Sequence, residues 1–270
     1  MTIALIDADI VAYRVAAASE DTDENICVLR CDKQMRDILY STNATEYKAF
    51  LSGKDNFRYK IYPAYKANRK DKPEPKWRQL CKEFLIKEWN AITVDGHEAD
   101  DALGYSQTEE TVICSIDKDL LQIPGSHFNW VKSEFYEQTW LGGIRHFYEQ
   151  LLKGDRTDNI PGLPNIGDKK AAAFLEGCET EQEMYEVCQF KYQDDDLMHL
   201  YGKLLWIFKK ENDIWQPPNF STGDSDSKPE KEVLLDSIMQ NLEEKNQSTE
   251  QFKYQKESGC PVHGLYPDDI

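Results

Sequence analysis

The 270-residue chain contains no run approaching the roughly 18 apolar residues that a membrane-crossing helix requires, so no such helix is expected. It has no Cys-x-x-Cys pair. Its seven cysteines are an odd number, and Cys27 and Cys31 have no second pair nearby to complete a zinc site. The cysteines therefore read as core filler in a reducing, cytoplasmic compartment. The opening MTIALIDADI lacks a basic start ahead of an apolar core, so a secretory leader is not expected. The five histidines are scattered and read as structural or exposed. Positive charge is scarce: 32 Lys and Arg stand against 49 Asp and Glu, for a net charge of −17. That balance argues against a surface that binds polyanions everywhere.

What is present is unevenly placed. Hydrophobic residues make up 40% and aromatics 11%, enough for one large α/β domain or two smaller ones. Residues 58–82 hold nine Lys and Arg against Asp71 and Glu74, with Tyr59, Tyr62 and Tyr65 interleaved. Cations neutralise a phosphate backbone while aromatic rings stack on unpaired bases. A solvated charged loop is the plainer reading of such a run, and the tyrosines weigh against it.

Short apolar runs at 3–6, 47–51, 91–94, 111–116 and 128–131 predict strands. Helical spacing falls at 11–18, 31–42, 77–89 and 98–106. The alternation predicts a mostly parallel sheet covered by helices, with its site beyond the carboxyl ends of the strands. From 144 the pattern becomes all-helical, at 144–152, 169–175, 180–189 and 195–210. Residues 216–231 read as a linker, 233–245 as an amphipathic helix, and the tail as loosely held. The expected division is an α/β core at 1–143 with a basic segment at about 54–88, a helical region at 144–215, and a linker and polar tail at 216–270.

Four acidic groups border predicted strands or helix starts: Asp7; Glu98, Asp100 and Asp101; Asp117 and Asp119; Asp155 and Asp158. An isolated Asp–Asp pair is ordinarily a solvated surface, and these differ by their placement. Two carboxylates about 4 Å apart repel by roughly 4 kcal/mol at an effective dielectric near 20. If the eight converge, protons or cations must fill the site. Oxygen ligands without His or Cys select Mg²⁺ or Mn²⁺, and two such ions suit phosphodiester hydrolysis. Residues 161–170 (PGLPNIGDKK) lie between two helical stretches. Gly162 and Gly167 permit tight turns, and Lys169 and Lys170 add charge, so a helix–hairpin–helix that holds DNA phosphates is plausible beside an ordinary Gly–Pro turn.

Asp7 after a strand, FRYKIYPAYKANRK, EADDALG, ICSIDKDLL and LLKGDRTDNIPGLPNIGDKKAA stand in the order found in 5′ nucleases. Over about residues 1–180 the chain resembles the bacteriophage 5′→3′ exonucleases, the flap endonucleases and the 5′-nuclease domain of bacterial DNA polymerase I. The resemblance implies a PIN-like α/β core, a basic arch and a C-terminal helix–hairpin–helix. It implies Asp7, Glu98, Asp100 and Asp101 at one metal, and Asp117, Asp119, Asp155 and Asp158 at a second. Lys66 and Arg69 resemble the basic pair that reaches the scissile phosphate. Arg58 and Tyr65 are expected at the DNA, together with Gly162, Gly167, Lys169 and Lys170 at a duplex-holding hairpin that in this family often carries K⁺. Many members place a further Asp at the end of the second strand. Here that position reads Leu51-Ser52-Gly53, and nearby Asp55 is the candidate replacement.

The function implied is a Mg²⁺- or Mn²⁺-dependent 5′→3′ exonuclease with flap endonuclease activity. Its expected partners are duplex or branched DNA with a 5′ end, RNA–DNA hybrids and replication proteins, with no membrane. A PIN-type ribonuclease acting on single strands and a non-catalytic DNA-structure-binding protein are the alternatives.

Overall fold

A computed structural model describes residues 2–70 and 72–219. Six strands form one sheet: β1 (Ile3–Asp7), β2 (Glu46–Ser52), β3 (Ile92–Val94), β4 (Thr111–Cys114), β5 (Gly125–Asn129) and β6 (Glu134–Gln138). Their order is β3-β2-β1-β4-β5-β6, and every pairing is parallel except β5–β6. From β1 the chain builds outward through β2 and β3 on one side, then crosses back to β4 on the other. The crevice between the carboxyl ends of β1 and β4 is therefore the place where such sheets receive ligands.

Alternation along the strands builds two faces. Ala4 and Ile6 of β1 pack with α1 (Ala8–Ala17), α2 (Glu24–Thr42) and α4 (Arg78–Trp89). Leu5 faces the other way, toward α5 (Ala99–Ser106) and Ile207. A short helix, α3 (Phe57–Ile61), opens the basic segment. After the sheet come α6 (Trp140–Lys153), α7 (Asp168–Phe174), α8 (Glu181–Tyr192) and α9 (Asp195–Leu205), which share a third apolar cluster with Tyr65 and Trp206. Residues 1–218 form one compact unit. No helix among the described residues is long and apolar enough to cross a membrane.

The expected helix at 11–18 begins earlier because the Asp7 side chain accepts the Ile10 N–H at 3.0 Å and caps α1 at Ala8. Asp23 does the same for α2, which starts seven residues before the expected 31. The helix expected at 195–210 stops at Leu205, and Trp206 turns extended so that 206–208 can run against α5. The linker and helix expected at 216–231 and 233–245 lie almost wholly outside the described residues.

Candidate functional site

The two strands flanking the crevice are tied by one hydroxyl. Ser115, just after β4, donates to Asp7 Oδ2 at 2.7 Å and accepts the Asp117 N–H at 3.0 Å. Asp117 Oδ1 in turn accepts the Asp119 N–H at 2.9 Å. Glu98 and Asp100 arrive at the start of α5. Asp155 and Asp158 arrive on the loop after α6, where Asp155 pairs its backbone with Ile160. The structure brings Asp7, Glu98, Asp100, Asp117, Asp119, Asp155 and Asp158 to the wall of one open cleft of about 1470 Å³.

Asp101 and Arg58 stand elsewhere, and both expectations for them are corrected. Asp101 is fully buried beneath the cleft, and Arg58 is only 2% exposed. The guanidinium forks onto the carboxylate, Nη1 to Oδ2 at 2.6 Å and Nη2 to Oδ1 at 2.9 Å. Its remaining donors reach the Leu204 and Trp206 carbonyls at 2.9 and 2.7 Å. Asp101 also accepts the N–H groups of Glu98 and Phe208 at 3.0 and 3.2 Å. With its lone pairs engaged, Asp101 is an anchor for the 204–208 segment rather than a ligand, and Arg58 has no face left for DNA.

Tyr65 is likewise corrected. It is buried, its ring edge-on to Tyr59, and its hydroxyl lies 2.7 Å from both Glu98 Oε2 and Asp158 Oδ2. It cannot stack on a base. Tyr59, by contrast, is half exposed and lines the cleft.

The acids divide into two groups by their neighbours. At the rim, Lys66 pairs with Glu98 and lies 3.5 Å from Asp158, and Arg69 Nη2 meets Asp158 Oδ1 at 2.5 Å. Burial disfavours the Glu98 charge, but Lys66 and Arg58 outweigh it and bring its pKa down to about 2. The turn bearing these cations is docked on the 155–159 loop. Asn68 Nδ2 donates to the Arg156 carbonyl at 2.6 Å, and Asn159 Nδ2 to that of Ala64 at 2.8 Å. Lys66 adopts φ +53, a left-handed conformation rare for lysine and typical of functional positions.

On the floor, Asp7, Asp100 and Asp119 form no ion pair among the described residues. Burial, aided by repulsion from Asp117, raises all three; Asp7 reaches about 7, and Asp100 and Asp119 rise well above the usual carboxylate range. Among the described residues no three His, Cys, Asp or Glu side chains close on one point as a finished cation cage. The floor nonetheless fits a hard divalent ion. It offers only oxygen donors, and its acids are left with protons or an outside cation as counter-charge.

A consequence for stability follows. An aspartate raised in the folded state binds its proton more tightly folded than unfolded, where its pKa is near 3.9. As pH rises from about 4 to 7 the unfolded chain gives up that proton first, so stability falls. Without divalent ions the melting temperature should be higher at pH 5 than at pH 7.5, by an amount worth a few kcal/mol for Asp7 alone. Mg²⁺ should reduce the difference. A scanning calorimetry series with and without MgCl₂ checks this, and a flat profile without metal would remove the strain assigned to the floor.

Two features of the cleft escaped sequence reasoning. Asp9, in the first turn of α1, accepts the Ser52 N–H at 2.6 Å and sits 2.6 Å from Lys82 Nζ, so a carboxylate does stand at the mouth end of β2. Asp55, the candidate for that place, does not line the cleft. Gln150 of α6 donates to Asp119 Oδ1 at 2.6 Å. Its own Oε1 accepts from Gln122 at 2.7 Å, and Gln122 also donates to the Leu205 carbonyl at 2.8 Å. This amide relay orients Asp119 from the helical side. Nothing in the sequence separates Asp9 from an ordinary acid in the first turn of a helix, and nothing marks a buried glutamine pair.

Between α6 and α7, Gly162 (φ +63) packs so tightly that a Cβ there would meet Gly154 N at 2.2 Å. Gly167 caps α7 on the open side, and Lys169 and Lys170 are exposed beside it.

The chain belongs to the 5′–3′ exonuclease family: residues 2–149 match the 5′-3′ exonuclease, N-terminal resolvase-like domain. A 5′-3′ exonuclease of Buchnera aphidicola is 32% identical over 154 residues, which is 50% of this chain and 54% of that protein. The thermostable DNA polymerase I of Thermus aquaticus is 36% identical over 141 residues, 45% of this chain and 17% of the polymerase. The chain thus spans about half the length of the first of these and a small share of the second. Among solved structures, a bacteriophage T5 flap endonuclease in a complex with DNA and metal ions covers 76% of this chain and 89% of its own, at TM-score 0.57 and 16% identity. A T5 5′-exonuclease with bound zinc gives TM-score 0.58 at 15% identity. These two share the fold.

Proposed function

We propose that the protein is a divalent-metal-dependent 5′→3′ exonuclease with flap endonuclease activity, hydrolysing phosphodiesters near the 5′ ends of duplex or branched DNA and of RNA primers on DNA. The observation that carries this is the single cleft in which seven carboxylates from four chain segments meet Lys66 and Arg69. Asp7, Asp100, Asp117 and Asp119, joined by Glu98, Asp155 and Asp158, would hold Mg²⁺ or Mn²⁺, and such ions supply Lewis-acid charge to a phosphodiester. Lys66 and Arg69 place positive charge where negative charge develops on the phosphate. Tyr59 offers a ring to an unpaired base, and Lys169 and Lys170 offer cations to duplex phosphates near the Gly162–Gly167 loop, where K⁺ would bind.

A 5′-labelled set of blunt, nicked and flapped duplexes, with single-stranded RNA alongside, tests the reading. Short 5′ products that require Mg²⁺ and vanish with chelator are expected from the DNA substrates. Preference for single-stranded RNA would favour the ribonuclease alternative, and tight binding with no products would favour a non-catalytic binder.

A further inference from the structure

Away from the cleft, α2 and α4 pack together on the sheet face that also carries α1, and three thiols meet between them. Cys27 and Cys31 stand one turn apart on α2 and share a face. Cys81 faces them from the first turn of α4. Its Sγ is 3.4 Å from Cys27 Sγ, and Cys31 belongs to the same buried cluster. All three are fully buried and carry free thiols. The acidic cleft uses none of them.

We propose that Cys27 and Cys81 form an intramolecular disulfide on exposure to a hydroperoxide, with Cys31 able to replace Cys27 as the partner of Cys81. In the first step the Cys27 sulfur attacks hydrogen peroxide; the O–O bond breaks, and a sulfenic acid and one water result. In the second the Cys81 sulfur displaces the hydroxyl group; the S–S bond forms, the S–O bond breaks, and the departing hydroxide takes the Cys81 proton as a second water. The two thiols lose two electrons in all, and the peroxide gains them.

The geometry favours the second step over the first. Burial, with the Cys81 contact second, holds the Cys27 thiol up at about 11 despite nearby Ser19 and Arg30, so unassisted attack is slow. Cys27 lies in the opening turns of α2, and helix ends open more readily than their middles. Once the sulfenic acid exists, Cys81 is already in contact, and closure approaches a unimolecular rate. The bond would join α2 to the helix whose next residue, Lys82, reaches Asp9 at the cleft. Oxidation would thus fix the position of one wall of the site.

The test is non-reducing peptide mapping and intact mass of the folded full-length chain treated with excess hydrogen peroxide. A Cys27–Cys81 linked peptide and a mass lower by about 2 Da are expected, with a melting temperature raised by roughly 5 °C or more and restored by thiol reductant. Cys31→Ser should keep the bond, Cys27→Ser should move it to Cys31, and Cys81→Ser should abolish it and accumulate oxygen adducts. Adducts on Cys27 in the parent chain, linkage only through other cysteines, or thiols that survive peroxide in the folded but not the urea-unfolded chain would each overturn the proposal.

Discussion

Arg58→Ala should lower the melting temperature by roughly 10 °C and cost about 3–5 kcal/mol, with no dependence on divalent ions. The mutation leaves the Asp101 carboxylate fully buried without its fork partner, and it releases the Leu204 and Trp206 carbonyls from their donors. Removing one partner of a buried pair is far costlier than replacing both by apolar groups of similar size. The double variant Arg58→Met, Asp101→Leu should therefore recover much of the loss. Thermal unfolding of the three variants separates an anchor from a ligand. A parent-like melting temperature for Arg58→Ala, or an Asp101→Asn chain that is stable but has lost its response to Mg²⁺, would return Asp101 to the site.

The second large effect concerns catalysis under the proposed function. Lys66→Ala should reduce cleavage of a 5′-ended duplex by about 10²–10³-fold, since a preorganised cation at the developing charge contributes that much in comparable sites. Arg69, nearly half exposed, should matter less, at about tenfold. Binding of the same duplex in Ca²⁺ should change only a few-fold, because one phosphate contact among many is lost. Lys66 now pairs with Glu98 and lies near Asp158, so it already points where the substrate phosphate would meet the acids. Cleavage within twofold of the parent would show that Lys66 serves only to neutralise those carboxylates.

Much of the fold was legible because its signals are periodic. The central strands β1 and β4, buried almost throughout, read as apolar runs, and each of β1 to β4 overlaps its expected span. β6 was not foreseen; EFYEQ is a half-exposed edge strand whose pairing with β5 is tertiary information. The acids at strand and helix ends were legible by their position. Which of the adjacent Asp100 and Asp101 turns outward was not, because one residue on a helix rotates a side chain by about 100° and only the Arg58 contact settles it. Arg58 and Tyr65 looked like DNA contacts by company alone; in the structure Arg58 turns inward from α3 and Tyr65 from the turn that follows it. Ser115, Asp9 and Gln150 carry no motif of their own, and their roles exist only where distant segments meet.

Direct counting of bound Mn²⁺ by electron paramagnetic resonance, on the parent chain and on Asp100→Asn and Asp119→Asn, probes the pocket itself. The parent should bind about two ions per chain at saturation, and each variant should lose at least one while keeping its fold by circular dichroism. Manganese that stays free in solution, or identical titrations for all three proteins, would mean that these acids are gathered in one cleft without being a metal site.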